Sequence, residues 1–336
     1  MFRFASSLML SAVVAATLTL AAQAPPSAPA GEVVGVGNFT HIVQDLDRSL
    51  AFYRDALGLE VGMSQPFGAN PAIEKLGNTP GGQSRFVALK VPGTALGVEL
   101  IEYKDIDRRA QHPRFYDPGA ANMALRVRDV DALFARAMKV PGAKVITAGG
   151  KPVTIETPNG TLHVVFLQDP DGFVVELAGV TAPAQPGEPT GAIIGGQFEP
   201  SVGSSEASVK LYNDLLGFSM QLGPSFNANK QMAETAGAPG ASFKQSSASI
   251  PGTSVRMTLI EFKDIDRRPL QGRVQDPGTA ILQLRVRDVV ALTTKLKAAG
   301  VPVVTTGGEP VDVINGIKIA IVRDPNNLML ELIQAR

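Results

Sequence analysis

The stretch "FTHIVQDLDRSLAFYRDALGLEV", Phe39 to Val61, reads as a strand, a helix and a second strand. The helix, from about Asp47 to Leu57, sets Leu46, Leu50, Tyr53 and Leu57 on one face, and Gly58 stops it. His41 stands in the middle of the first apolar run, where a half-buried imidazole needs a partner. A diverged copy, "FEPSVGSSEASVKLYNDLLGFSM", begins at Phe198 and carries Pro200 where the histidine stands. One copy can therefore hold chemistry that the other has lost.

Working outward, "LIEYKDIDRR" at Leu100 recurs as "LIEFKDIDRR" at Leu259, an offset of 259 minus 100, or 159 residues. The same offset carries "DPGAANMALRVRDV" at Asp117 onto "DPGTAILQLRVRDV" at Asp276, so the chain holds a duplicated domain. The Pro- and Gly-rich stretch 181–191 is the expected linker between a first domain at 31–180 and a second at 192–336. Within the first copy, strands are expected near Leu59–Met63, Arg85–Val91 and Leu96–Tyr103. The pattern then restarts with a strand at Asn122–Val127 and a helix whose apolar stripe includes Val130, Leu133 and Ala137. Three more strands follow, punctuated by the turns "TPNG" at Thr157 and "DPDG" at Asp169, which recur as "INGI" and "DPNN". The expected fold is α+β: two tandem domains, each a pair of βαβββ modules curling into an incomplete barrel around a cleft.

Composition narrows the function. The 336 residues are 44% hydrophobic and 18% charged, the balance of a globular chain long enough for two cores. Thirty-one basic residues offset 31 acidic ones, which leaves nothing to attract nucleic acid. Residues 1–30 have the basic start, apolar run and small residues of a signal peptide, with cleavage after Ala24 or Ala30. Removal of that segment leaves no membrane span, and the expected location is periplasmic or secreted. The chain has no cysteine, hence no disulfide, lipid acceptor or thiolate metal site.

The segments "HIVQDLDRSLAFYRDALGLEV", "GVELIEY", "MALRVRDVDALFARA" and "VVFLQDPDGFVVEL" resemble the vicinal oxygen chelate superfamily, which includes glyoxalase I, bleomycin-resistance proteins, fosfomycin-resistance enzymes and extradiol dioxygenases. The resemblance implies a divalent metal in the first-domain cleft, held by His41, Glu99, Asn122 and Glu176. Asn122 stands where the family often has histidine. Alternation supports inward-facing groups, since Asn122 lies with Ala124, Glu176 with Val174 and Ala178, and His41 with Phe39 and Val43. Carboxylates, an imidazole and an amide in one apolar cleft would be costly without a cation among them. Such donors suit Mn, Ni, Fe, Zn or Mg. The second copy has Pro200, Thr258, Ile281 and Glu331 at these positions, a single credible ligand.

The resulting expectation is a metal-dependent enzyme of glyoxalase-like lyase or isomerase type, acting on a small oxygenated molecule with Glu176 as candidate base. The alternative is a metal-free small-molecule binding protein. An extradiol dioxygenase fits less well, because it needs two histidines and only one aligns. His112 and His163 read as surface residues, Tyr53 and Tyr212 as core, Glu102 and Glu261 as structural carboxylates, and "KDIDRR" as an anchor for a turn or interface. Pairing of the two copies within one chain predicts a monomer.

Overall fold

Helix starts are set by residues that cap with their own side chains. Asp45 lies in extended backbone and its carboxylate accepts the Arg48 N–H; Asp129, Ser204 and Asp288 do the same at the three corresponding helices. The computed structural model describes residues 32–157, 160–180, 187–314 and 316–335. The leader at 1–30, the linker positions 181–186 and the turn residues Pro158, Asn159 and Asn315 lie outside the described residues.

Four modules follow one another. The first runs β1 (Val33–Val43), α1 (Leu46–Leu50, continued by a π-helical turn at Ala51–Ala56), β2 (Glu60–Gly68), α2 (Pro71–Gly77), β3 (Gln83–Lys90) and β4 (Gly97–Lys104). The second runs β5 (Ala121–Val127), α3 (Val130–Ala137), β6 (Lys144–Val145), β7 (Val153–Thr157), β8 (Gly160–Gln168) and β9 (Val174–Val180). The third holds β10 (Ile193–Val202), α4 (Ser205–Asp214), α5 (Lys230–Thr235), β11 (Ser242–Ser249) and β12 (Arg256–Lys263). The fourth holds β13 (Ala280–Val286), α6 (Val289–Ala298), β14 (Val311–Ile314), β15 (Ile317–Arg323) and β16 (Met329–Gln334). The third module lacks the strand expected after its helix. Two isolated bridges form there among the described residues, Gln221 to Ser247 and Asn227 to Phe243, and between them Gly223, whose missing Cβ lets it approach the Gln245 carbonyl, leads straight into Pro224.

The architecture is the mixed α+β arrangement of two curled sheets, but each sheet draws one module from each repeat. Sheet I has the order β14-β15-β16-β13-β1-β4-β3-β2 and so joins the first module to the fourth. Sheet II has the order β11-β12-β10-β5-β9-β8-β6, with β7 on β8, and joins the second to the third. The seams are antiparallel: Thr40 lies opposite Ile281 across β1 and β13, and Asn122 opposite Glu199 across β5 and β10. One apolar core, with Phe39, Tyr53, Leu125, Phe198, Tyr212 and Leu284, fills the helix-covered faces of both sheets. Smaller clusters line the opposite faces, around Ile42, Tyr103 and Ile281 in sheet I and around Phe166, Val174 and Phe262 in sheet II.

The duplicated "KDIDRR" runs lock this exchange. The Arg109 N–H donates to Asp276 at 2.8 Å, and the Arg268 N–H to Asp117 at 2.8 Å. Arg273 pairs with Asp107 at 3.1 Å and Arg114 with Asp266 at 3.5 Å, again across the repeats. Within a module, Glu102 accepts the Leu46 N–H at 2.9 Å and Glu261 the Ser205 N–H at 2.8 Å, so both carboxylates tie a strand to a helix start. Asp117 is buried and also accepts from the Arg114 backbone and guanidinium. Asp117→Ala would orphan these donors, so it should lower stability by about 2–4 kcal/mol in urea unfolding; a loss below about 1 kcal/mol would show that the cross-repeat strap contributes little.

Candidate functional site: two polar clefts

The inner face of each curled sheet carries buried carboxyl groups. In cleft I, Glu99 on β4 accepts from Thr40 Oγ1 at 2.8 Å and from Gln283 Nε2 at 2.9 Å. Gln283 in turn accepts the Asn38 N–H at 2.9 Å. Glu331 on β16 shares the cavity but makes no hydrogen bond or ion pair among the described residues. Burial, then the charge of Glu99, pushes the Glu331 carboxyl up to about 8. Burial raises Glu99 as well, against the two donors that hold its anion. The cavity of about 260 Å³ has a mainly apolar wall, including Phe86, Ile101, Ile319 and Ile333.

In cleft II, Asn122 Nδ2 donates to Glu199 at 2.8 Å and Glu176 at 3.3 Å, and Gln197 Nε2 donates to Glu199 at 2.7 Å. Burial and then the charge of Glu199 push the Glu176 carboxyl well above the usual carboxylate range, and burial raises Glu199 against the amide donors that hold it. Asn122 Oδ1 is buried without a partner among the described residues. A cavity of about 380 Å³ opens above this group.

The four expected ligands do not converge. Glu99 lies in cleft I, Asn122 and Glu176 lie in cleft II, and His41 lies in neither. Thr40 turns its hydroxyl to Glu99, so by strand alternation His41 faces the opposite side of sheet I. There its ring stacks on Phe173 with centroids 3.7 Å apart, and Nδ1 meets the Tyr53 hydroxyl at 2.8 Å. Tyr53 donates to Asp169 at 3.0 Å. The partner of the imidazole is therefore a core tyrosine. Burial holds His41 down to about 3, which keeps it neutral, and its Nε2 has no partner among the described residues. His163 bonds Thr154 and Asp131, and His112 is exposed.

A register signal for this was present in the sequence. Counting back from the helix caps, 45 minus 38, 129 minus 122, 204 minus 197 and 288 minus 281 are each seven. Asn38, not His41, is thus the counterpart of Asn122, with Gln197 and Ile281 completing the set. Gln283 and Glu199 were missed, although each is a polar residue inside an otherwise buried strand. The pairing of Glu99 with Glu331 had no local signal, because the two belong to different repeats.

With this geometry in hand, the comparisons are specific about the fold. The sequence matches the Glyoxalase/Bleomycin resistance protein/Dioxygenase superfamily over residues 35–177 and 196–332, and the chain belongs to that superfamily. It is 30% identical over 154 residues to a 2-epi-5-epi-valiolone epimerase from Actinomyces sp, an alignment spanning 45% of this chain and 82% of the relative. The crystal structure of glyoxalase I from Zea mays superposes with a TM-score of 0.57 at 20% identity, covering 89% of this chain and 92% of that one. Superfamily members usually use a divalent metal. Among the described residues no three His, Cys, Asp or Glu side chains gather as a ligand set. The donors that fit a cation best are the carboxylates of Glu99 and Glu331 with the amide oxygen of Asn38, since the two acids there lack a balancing charge, while Gln283 turns its Nε2 to Glu99 and its oxygen to the Asn38 N–H.

Two outcomes test this placement. His41→Leu should change stability by no more than about 1 kcal/mol, because it removes an orphaned nitrogen and leaves Tyr53 bonded to Asp169; it should not alter ligand or metal affinity measured by titration calorimetry. Asp169 is raised from 3.8 to about 7 by burial and then Asp171, so the folded state holds its proton longer than the unfolded chain. Its contribution to stability is full below the unfolded value and falls as pH rises through the window up to about 7. In Asp169→Asn the amide oxygen can still accept the Asp171 and Phe173 N–H groups, and the decline of unfolding free energy across this window should become shallower.

Proposed function

We propose that cleft I is the reaction site of a metal-assisted lyase or isomerase acting on a small oxygenated molecule. The observation that carries this reading is the pair of buried carboxyl groups, Glu99 and Glu331, turned into one cavity with no cation among the described residues. Glu99, Glu331 and the amide oxygen of Asn38 would hold the ion, an all-oxygen set that favours Mg or Mn over Zn, Ni or Fe. A divalent cation there would polarise a substrate carbonyl or chelate adjacent oxygens. Thr40 and Gln283 fix the orientation of Glu99, which suits a permanent anchor. Glu331 has no such restraint and can loosen from the ion to accept a proton from a carbon beside the carbonyl and return it. Similarity to an epimerase and to glyoxalase I supports a proton-moving reaction. Glu176 is not the base in this reading, because it lies in the other cleft, beside Asn122.

The apolar wall and the amide at the first-strand position, Asn38, favour a second reading, a metal-free pocket that binds an amphipathic molecule. Because the cross-repeat seams are satisfied within one chain, the working state is proposed to be a monomer, exported by the leader read at residues 1–30.

Metal analysis of full-length protein purified without chelators, with Mn(II) titration, separates the two readings. One ion per chain is expected, with at least about 100-fold weaker binding in Glu331→Gln and unchanged binding in Glu176→Gln. Solvent deuterium exchange into a panel of α-hydroxy ketones, followed by NMR, should vanish in Glu331→Gln. Absence of bound metal together with no exchange in the wild type would overturn the enzyme reading in favour of the binding protein.

A further inference from the structure

Cleft II differs from cleft I in charge and shape. Its mouth is flanked by Arg126 on β5 and Arg256 on β12, and its lining is cut back to Gly195, Ala124 and Ala178, which leaves the cavity of about 380 Å³. Arg256 is exposed, makes no ion pair among the described residues and reaches only the Ser247 hydroxyl. The position 159 residues earlier, 256 minus 159, is Gly97, so cleft I has no cation there. Arg126 has its own counter-charge: it binds Glu188, which Arg128 also holds at 3.1 Å. Glu188 comes from the segment joining the repeats, and its side chain is only 8% exposed. A carboxylate of the chain itself thus already holds one of the two guanidinium groups at the mouth. Deeper in, Gln197 and Glu176 present polar atoms, and the Asn122 amide donates to both Glu176 and Glu199 behind them.

We infer that cleft II is a second binding site, for a small hydroxycarboxylate whose anionic end sits between Arg256 and Arg126 and whose hydroxyl meets Gln197 and Glu176. A guanidinium pair selects an anion by forked, charge-assisted hydrogen bonds. The polar inner wall selects a hydroxyl over a methyl group. Glu188 acts as a tethered competitor, because it holds Arg126 in the absence of ligand. This site is independent of the reading of cleft I: it needs no metal, and its residues belong to the other sheet.

Titration calorimetry on full-length protein tests it with malate, inorganic phosphate and glycerol as probes. Saturable malate binding at one site per chain is expected, weakened at least tenfold in Arg256→Gln, partly restored in Arg256→Lys, and tightened severalfold in Glu188→Gln. Glu331→Gln, in cleft I, should leave malate affinity unchanged while removing Mn(II). No saturable malate binding, malate affinity untouched by Arg256→Gln, or equal loss in Arg256→Gln and Glu331→Gln would each overturn the assignment. Phosphate binding without malate binding would overturn the hydroxycarboxylate class.

Discussion

The structure rests on two antiparallel seams, β1 against β13 and β5 against β10, which join strands from different repeats. Backbone N–H and C=O groups in the middle of a sheet must pair, and each repeat by itself leaves the seam edge of its first strands open. Exchange between the copies satisfies both edges at once. The reciprocal bonds from Arg109 to Asp276 and from Arg268 to Asp117 fasten the same exchange at the chain segments that lead into β5 and β13. The duplicated run survives in both copies because each copy braces the other.

The seams also decide which side chains meet. They bring Glu99 of the first repeat and Glu331 of the second into one cavity, and set Asn122 and Glu176 beside Glu199 in the other. Both clefts bury acids, but they resolve the electrostatic cost differently. Cleft II turns the Asn122 amide toward both of its carboxyls, whereas cleft I leaves Glu331 without a donor among the described residues. A cation therefore has more to offset in cleft I. The basic mouth of cleft II points to a different class of ligand, so duplication has produced two unlike pockets on one scaffold.

His41 illustrates how a core can mimic a site. Its ring lies between Phe173 and Phe39 and meets Tyr53, and the other repeat keeps the tyrosine–aspartate contact, Tyr212 to Asp324, with Pro200 in place of the histidine. The contact thus belongs to the shared scaffold, and the imidazole fills a position that the other copy fills with an apolar ring.

Local sequence by itself determined the caps at Asp45, Asp129, Ser204 and Asp288, the strand-then-helix opening of each module, the duplication and the family, because these depend on neighbours within a few residues or on repetition along the chain. It also marked Glu99, Glu176 and Glu331 as acids on buried strands. Which module pairs with which was decided only in three dimensions, since either partner offers the same strand edge and the same alternating pattern. The assembly of Glu99 with Glu331 across 232 positions, 331 minus 99, follows from that choice. The side of β1 that faces a cleft was legible locally, in the seven-residue spacing from Asn38 to the cap at Asp45, whereas the ring of Phe173 that stacks on His41 comes from the second module.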